Sequence, residues 1–366
     1  MKYMIKKQIF ISVLLIFTAG LGHCIELKSI KKFYGACAPK SVEISPDGKY
    51  AAVMNLEGMS FWIIDASSFT FVKKVKFFAE PAKGWNYNEK EEIDSYAQKP
   101  VESCFSNDSR LLWVSLHNGD GVVVYDLKEE LKPSEGQDFE KVKVKDYKTE
   151  ETNTIKILKI KTGKTPKVIK INPDGKYALV SNWHGHSVSI IDTENYKKIK
   201  NIPMQGNIKY IPRGIAISTD STKAYIANMR GGTISVINLE SLEVVQDTWV
   251  TLNPRHLVIT KDNKYLYISE NIGGKVIKYD IRENKKIAET KVGERTRTID
   301  ITPDEKYIVA GSYDSDKITV LSADDLTIEK EIEFPSPIGL SISPDGRYLW
   351  AASYKKGIVQ VFSIQY

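Results

Sequence analysis

Seven times along the chain an Asp sits in a turn of similar shape: SPDGK (Asp47), SNDSR (Asp108), NPDGK (Asp174), STDST (Asp220), TKDNK (Asp262), TPDEK (Asp304) and SPDGR (Asp345). The last four steps are 46, 42, 42 and 41 residues long. A fixed period near 40 residues marks one supersecondary unit copied in tandem, each copy burying its apolar face on its neighbours. The Asp-Gly turn needs a residue at positive φ, which Gly supplies cheaply, while the Asp side chain bonds nearby backbone. The seven aspartates are therefore read as turn-formers rather than as metal ligands or catalytic groups.

The third copy shows the unit. Val168–Ile171 alternates, the turn Asn172–Gly175 follows, and Tyr177–Ser181 is a second apolar run. The loop Asn182–His186 leads into Ser187–Asp192, and Tyr196–Ile202 makes a fourth run. Four short β-rich segments bounded by Gly, Pro, Asn and Asp predict a four-stranded antiparallel meander. No stretch carries a sustained helical period, so the chain is expected to be all-β. Four-stranded sheets repeated radially form a β-propeller, and seven copies predict seven blades. The last copy supplies only three strands before the chain stops, whereas Ile25–Phe33 is a strand-like segment with no blade of its own. That N-terminal strand should complete the last blade as its outermost strand, hiding two open edges.

The first 23 residues read separately. Lys2, Lys6 and Lys7 precede an apolar run from Ile9 to Phe17, followed by Ala19, Gly20 and Gly22. This pattern describes a secretory signal peptide over 1–23, leaving a single propeller over 24–366 and an exported protein, periplasmic or at the cell surface. Losing three lysines takes the formal charge from +6 to about +3, and no basic stripe or helix points to nucleic acid. Cys24 follows Leu21-Gly22-His23, which resembles a bacterial lipobox, although His23 and Ile25 depart from it. Lipidation at Cys24 and ordinary cleavage are both open, and the membrane is expected as a partner only through such an anchor. Cys37 and Cys104 then remain as a bridge or as two separate thiols, in a compartment that permits disulfides.

The runs Tyr177-Ala-Leu-Val-Ser-Asn182, Tyr225-Ile-Ala-Asn228 and Tyr267-Ile-Ser-Glu-Asn271 resemble the YVTN family of bacterial seven-bladed propellers. The resemblance covers essentially the whole mature chain and is weaker in the first two copies. It implies export and a binding role, and it leaves the ligand open.

In such a ring the loops that enter the innermost strands share one face, here called the top, and loops carry function more often than the strands beneath them. Seven residues before the repeat Asp stand Lys40, Lys167, Arg213, Arg255 and Arg297, with Val101 and Ile338 breaking the series. Five cations around the channel mouth would attract an anion. The alternative is that each bonds carbonyls or a carboxylate of the adjoining blade, with Glu43, Lys170 and Asp300 as internal candidates along the channel. Trp183 and Arg230 belong to the same face. His184 and His186 have a spacing that can ligate Zn or Cu if a third ligand, such as His117 or His256, comes from another copy. Two insertions, 79–100 and 128–153, interrupt the period. The first, with Trp85, Tyr87 and Tyr96, should project from the top as a lid or partner contact; the second, on the bottom or outer rim, is read as mobile.

On these residues the expectation is a non-enzymatic binding or scaffolding propeller, monomeric, engaging a protein, glycan or anionic ligand through its top face and using no cofactor. The alternative is a propeller-class enzyme, a lactonase or metal-dependent hydrolase, using the His184/His186 loop and the basic channel mouth.

Overall fold

The computed structural model describes residues 25–86, 89 and 91–366. The signal segment 1–23 and Cys24 lie outside them. Every repeat Asp accepts the backbone N–H two residues further on, as Asp47 does from Lys49 at 3.1 Å and Asp345 from Arg347 at 3.0 Å. The residue after each Asp has positive φ, from Gly48, Gly175 and Gly346 to Ser109, Ser221, Asn263 and Glu305. Each turn delivers the chain from an innermost strand into the second strand of the same sheet.

Among the described residues the protein is all-β and helix-free, built of four-stranded antiparallel sheets in a propeller-like ring. The innermost strands are Pro39–Ile44, Pro100–Phe105, Pro166–Ile171, Pro212–Ile217, Pro254–Ile259, Thr296–Ile301 and Pro337–Ile342. Each contacts the next in this order, and the last returns to the first, so the ring closes on itself. The N-terminal strand Glu26–Tyr34 lies antiparallel to Ile358–Gln365, from Glu26 opposite Gln365 to Tyr34 opposite Ile358. Its Phe33 stacks on Trp350 at 5.7 Å, and Ile25 is fully buried, so the closure is apolar as well as hydrogen-bonded. The core is a series of apolar clusters between neighbouring sheets rather than one central mass.

The buried Asn that ends the second strand of the third and fourth copies ties off the following loop. Asn182 donates to Ser187 and Ser189, and Asn228 donates to Thr233 and Ser235. Both asparagines are at zero exposure, and these hydroxyls satisfy their amide nitrogens.

The first insertion contains an antiparallel hairpin, Pro81–Asn86 with Glu91–Tyr96. Asn118, in the loop leaving Leu111–Leu116, donates to Ser95 and to the Tyr96 carbonyl, which holds the hairpin on the top face. The second insertion differs from the expectation of a mobile segment. Its strand Phe139–Asp146 pairs on one side with Thr152–Lys161 and on the other with Thr70–Phe77, lacing two outer edges together. The alternation Val142-Lys-Val144 was the signal: the two valines are buried while Lys143 faces out. Of the two outcomes open for Cys37 and Cys104, the structure takes the unbridged one. Cys37 is exposed, while Cys104 is buried and burial pushes its thiol up to about 11.

Candidate functional site: a cationic mouth

Six of the innermost strands begin with Pro, and in each the next residue stands in a bulge. The register shifts between Pro39 and Ser41, Pro166 and Ile169, Pro212 and Ile215, and Pro254 and Leu257; Thr296 and Ile299 repeat it without the Pro. Pro is suited to the first residue of a strand because it has no N–H to give to the ladder, and a bulge re-aims the side chain it carries. The re-aimed residues are Lys40, Lys167, Arg213, Arg255 and Arg297. The structure brings all five together: Arg213, Arg255, Arg297 and Lys40 each depress the ionisation of another member of the set.

Three are buried, with Lys167 and Arg213 5% exposed and Arg255 6%, while Lys40 and Arg297 are half-buried. One carboxylate meets them. Arg213 Nη2 donates to Glu102 Oε1 at 2.6 Å. The others lie on softer partners. Lys40 sits over the Tyr354 ring at 5.6 Å and Arg297 over Tyr313 at 5.1 Å. Arg255 Nη1 approaches Met229 Sδ at 3.8 Å. Lys167 Nζ lies 2.7 Å from His117 Nδ1 and 4.5 Å from the centre of the Trp183 ring. Aromatic faces attract cations, yet they carry no countercharge. Of the alternative in which each cation bonds carbonyls or a carboxylate of the adjoining blade, the structure gives a hydrogen-bonded carboxylate to Arg213 alone among the described residues, and Glu102 comes from the innermost strand two copies away.

The electrostatic consequence falls on Lys40, Lys167, Arg255 and Arg297. Burial, then the charges of Arg255, Arg297 and Arg213, push Lys40 well below the usual lysine range. Burial, then Arg213, Lys40 and Arg255, do the same to Lys167. Burial and Arg295 bring Arg297 down to about 10. Burial works against the charge of Glu102, but Arg213 outweighs it and holds the carboxyl below its usual range. Burial and the adjacent Lys167 keep His117 neutral.

Glu102 was missed at the sequence level, and its signal is one residue from a feature that was seen. Val101 breaks the cation series, and the next residue supplies the countercharge. Below the mouth the channel widens into a cavity of about 400 Å³ lined by Glu43, Glu102, Lys170, His256 and Asp300 with aliphatic side chains. Glu43 and Lys170 pair with each other at 3.3 Å, and Asp300 accepts the N–H groups of Ile301 and Ile342. These three serve one another and leave the mouth uncompensated.

Arg230 stands apart as an exposed residue whose carbonyl accepts the Ile211 N–H. Trp183 joins the mouth beneath Lys167 and stacks on His184 at 5.4 Å. His184 and His186 do not converge. His184 Nδ1 meets Thr165 Oγ1 at 3.2 Å, whereas His186 Nδ1 lies 2.6 Å from the Tyr210 carbonyl. No group of three ligating side chains forms around them among the described residues. The two candidate ligands engage different partners, and His186 takes positive φ. Beside His117 and His184 a cavity of about 260 Å³ lies under the hairpin, lined also by Trp85, Asp120 and Lys164.

The fold and the mouth define a propeller-like protein with an over-charged, largely buried cation cluster at the channel entrance. Residues 230–336 are similar to the family described as Cytochrome D1 heme domain. That domain is an eight-bladed β-propeller. The whole fold is similar to the hydrazine synthase of Kuenenia stuttgartiensis, with a TM-score of 0.69 and 22% identity over 89% of this chain and 95% of that chain. At this identity the likeness shows the fold. No curated protein matches the sequence. The expectation of a non-enzymatic chain is corrected by the match over 230–336, since a haem domain points toward haem-dependent enzymes. The mouth suits the carboxylates of a haem: cations and aromatic faces line it. His117, His184 and His186 each engage Nδ1 with a protein partner, which leaves Nε2 as the nitrogen that would meet an iron.

Proposed function

We propose that the chain is an exported propeller enzyme whose mouth holds a polycarboxylate ligand, with a haem-type macrocycle as the first candidate. The observation that carries this reading is the imbalance of five cations, three of them buried, against Glu102. Taking charges out of water is costly unless opposite charge accompanies them, so a ligand with two or more carboxylates lowers the energy of the folded protein as it binds. The similarity over 230–336 supports the macrocycle, and this stretch contains Arg255, Arg297 and Tyr313.

Two finer readings go with it. The closed order of the innermost strands supports seven blades of the YVTN type, fewer than the family matched over 230–336. The basic, apolar and small-residue order of residues 1–23 supports export, with Cys24 as a candidate lipid anchor.

Haem, iron-free protoporphyrin and haem dimethyl ester separate recognition through carboxylates from recognition through iron. Haem and protoporphyrin are expected to bind alike in absorbance and fluorescence titrations, and the diester weakly. Arg255→Gln and Arg297→Gln should each cost about tenfold in affinity, the loss of one charge-assisted hydrogen bond. Equal binding of the diester, or no binding of either diacid, overturns the reading.

A further inference from the structure

The same charge imbalance has a second chemical outlet, at Lys167. Its Nζ is buried among Lys40, Arg213 and Arg255 from three other innermost strands, with His184 and Lys164 on neighbouring loops. The carboxylate in reach is Glu102, and Arg213 already holds it. The atom nearest in a polar sense is His117 Nδ1 at 2.7 Å, on an imidazole that burial keeps neutral. A lysine in this setting gives up its proton, and a neutral amine next to a proton acceptor is a nucleophile. Lys40 shares the crowding but lies over Tyr354, where no acceptor is positioned for its proton.

Access restricts what can react. Lys167 is 5% exposed, so bulky electrophiles are shut out. The 260 Å³ cavity under the hairpin reaches His117 and Thr165, on the side from which a very small molecule can approach. Charge restricts it further, because a product that stays cationic leaves the crowding as it was. An anionic product reverses it.

We propose that Lys167 is a carbon dioxide-binding site that forms a carbamate. The Nζ lone pair attacks the carbon of CO2, an N–C bond forms, and one C=O electron pair moves onto oxygen. The Nζ proton passes to His117 Nδ1 while the other ring nitrogen gives its own to solvent. The product is an N-carboxylated lysine with one negative charge, and no oxidant or reductant is needed. The mouth changes from four cations, a neutral amine and one carboxylate to four cations and two anionic groups, with the new oxygens in the field of Arg213 and Arg255.

The inference concerns the ligand-free protein and does not rest on the polycarboxylate reading. The full mature chain, without porphyrin, is equilibrated with 13C-bicarbonate near neutral pH and observed by 13C NMR. A trialkyloxonium trap followed by peptide mass mapping then locates the label. One carbamate resonance and one trapped site, Lys167, are expected. Lys167→Met should lose both. Lys40→Met should weaken the signal at the same pH, because removing a neighbouring cation restores the proton of Lys167. Label on Lys40, label spread over surface lysines with Lys167 bare, or no carbamate resonance overturns the inference. The map of the wild-type chain decides it even where Lys167→Met folds poorly. Failure of porphyrin binding would leave this outcome unchanged.

Discussion

At the scale of the residue, the repeat Asp and the residue after it carry the turn that makes each sheet. The Asp carboxylate takes the N–H two positions on, and the next residue turns into the left-handed region, at a cost of about 1–2 kcal/mol for a side chain other than Gly. Gly175 has φ +77°, and the nearest atom to an added Cβ is Asn107 Nδ2 at 3.5 Å, so space is not the obstacle. Gly175→Ala should therefore lower the unfolding free energy by about 1 kcal/mol in a denaturant titration, without loss of β-sheet circular dichroism. A larger loss would mean that contacts, rather than φ, fix glycine there. The cation positions were legible at this scale, since a fixed offset from the Asp located all five. Their burial and the lack of carboxylates were not, because they depend on side chains from seven strands meeting at one axis. Arg230 and His186 show the limit: they share the face in sequence terms, yet Arg230 is exposed and His186 turns to the Tyr210 carbonyl.

At the scale of the element, closure and the two insertions decide how the ring is held. The N-terminal strand was legible as a surplus of one strand at one end and a shortage of one at the other, and it pairs over its length with Ile358–Gln365. Phe33 is 4% exposed and stacks on Trp350. Phe33→Ala should cost roughly 3–5 kcal/mol by chemical denaturation, the range for an aromatic lost from a core. A loss under about 1 kcal/mol would mean that the closing strand contributes little to stability. The strap Phe139–Asp146 was missed because its surroundings are polar and rich in lysine, which reads as a solvated loop. Its partner, the outer strand Thr70–Phe77, comes from the first copy, and pairing that joins two copies into one nine-stranded sheet leaves no local trace in sequence.

At the scale of the whole molecule, the bulge after the first residue of the innermost strands converts a repeat consensus into a site. One substitution pattern, copied around a closed ring, aims five cations at the same axis, and the copies that break the pattern supply Glu102 and apolar Ile338 instead. The molecule thus stores unfavourable charge at its centre, and this is the central claim. Lys40 and Lys167 have folded-state values below the unfolded value of about 10.4. Between those limits the unfolded chain binds more protons than the folded one, so stability must rise with pH across that window. The most direct measurement is thermal unfolding of the ligand-free protein between pH 7 and 9, beside the Lys40→Met variant. The account predicts a midpoint that climbs with pH in the wild type, and a variant that is the more stable of the two at pH 7 and climbs less. A wild-type midpoint that stays level or falls over this range, or a variant less stable at pH 7, would contradict it.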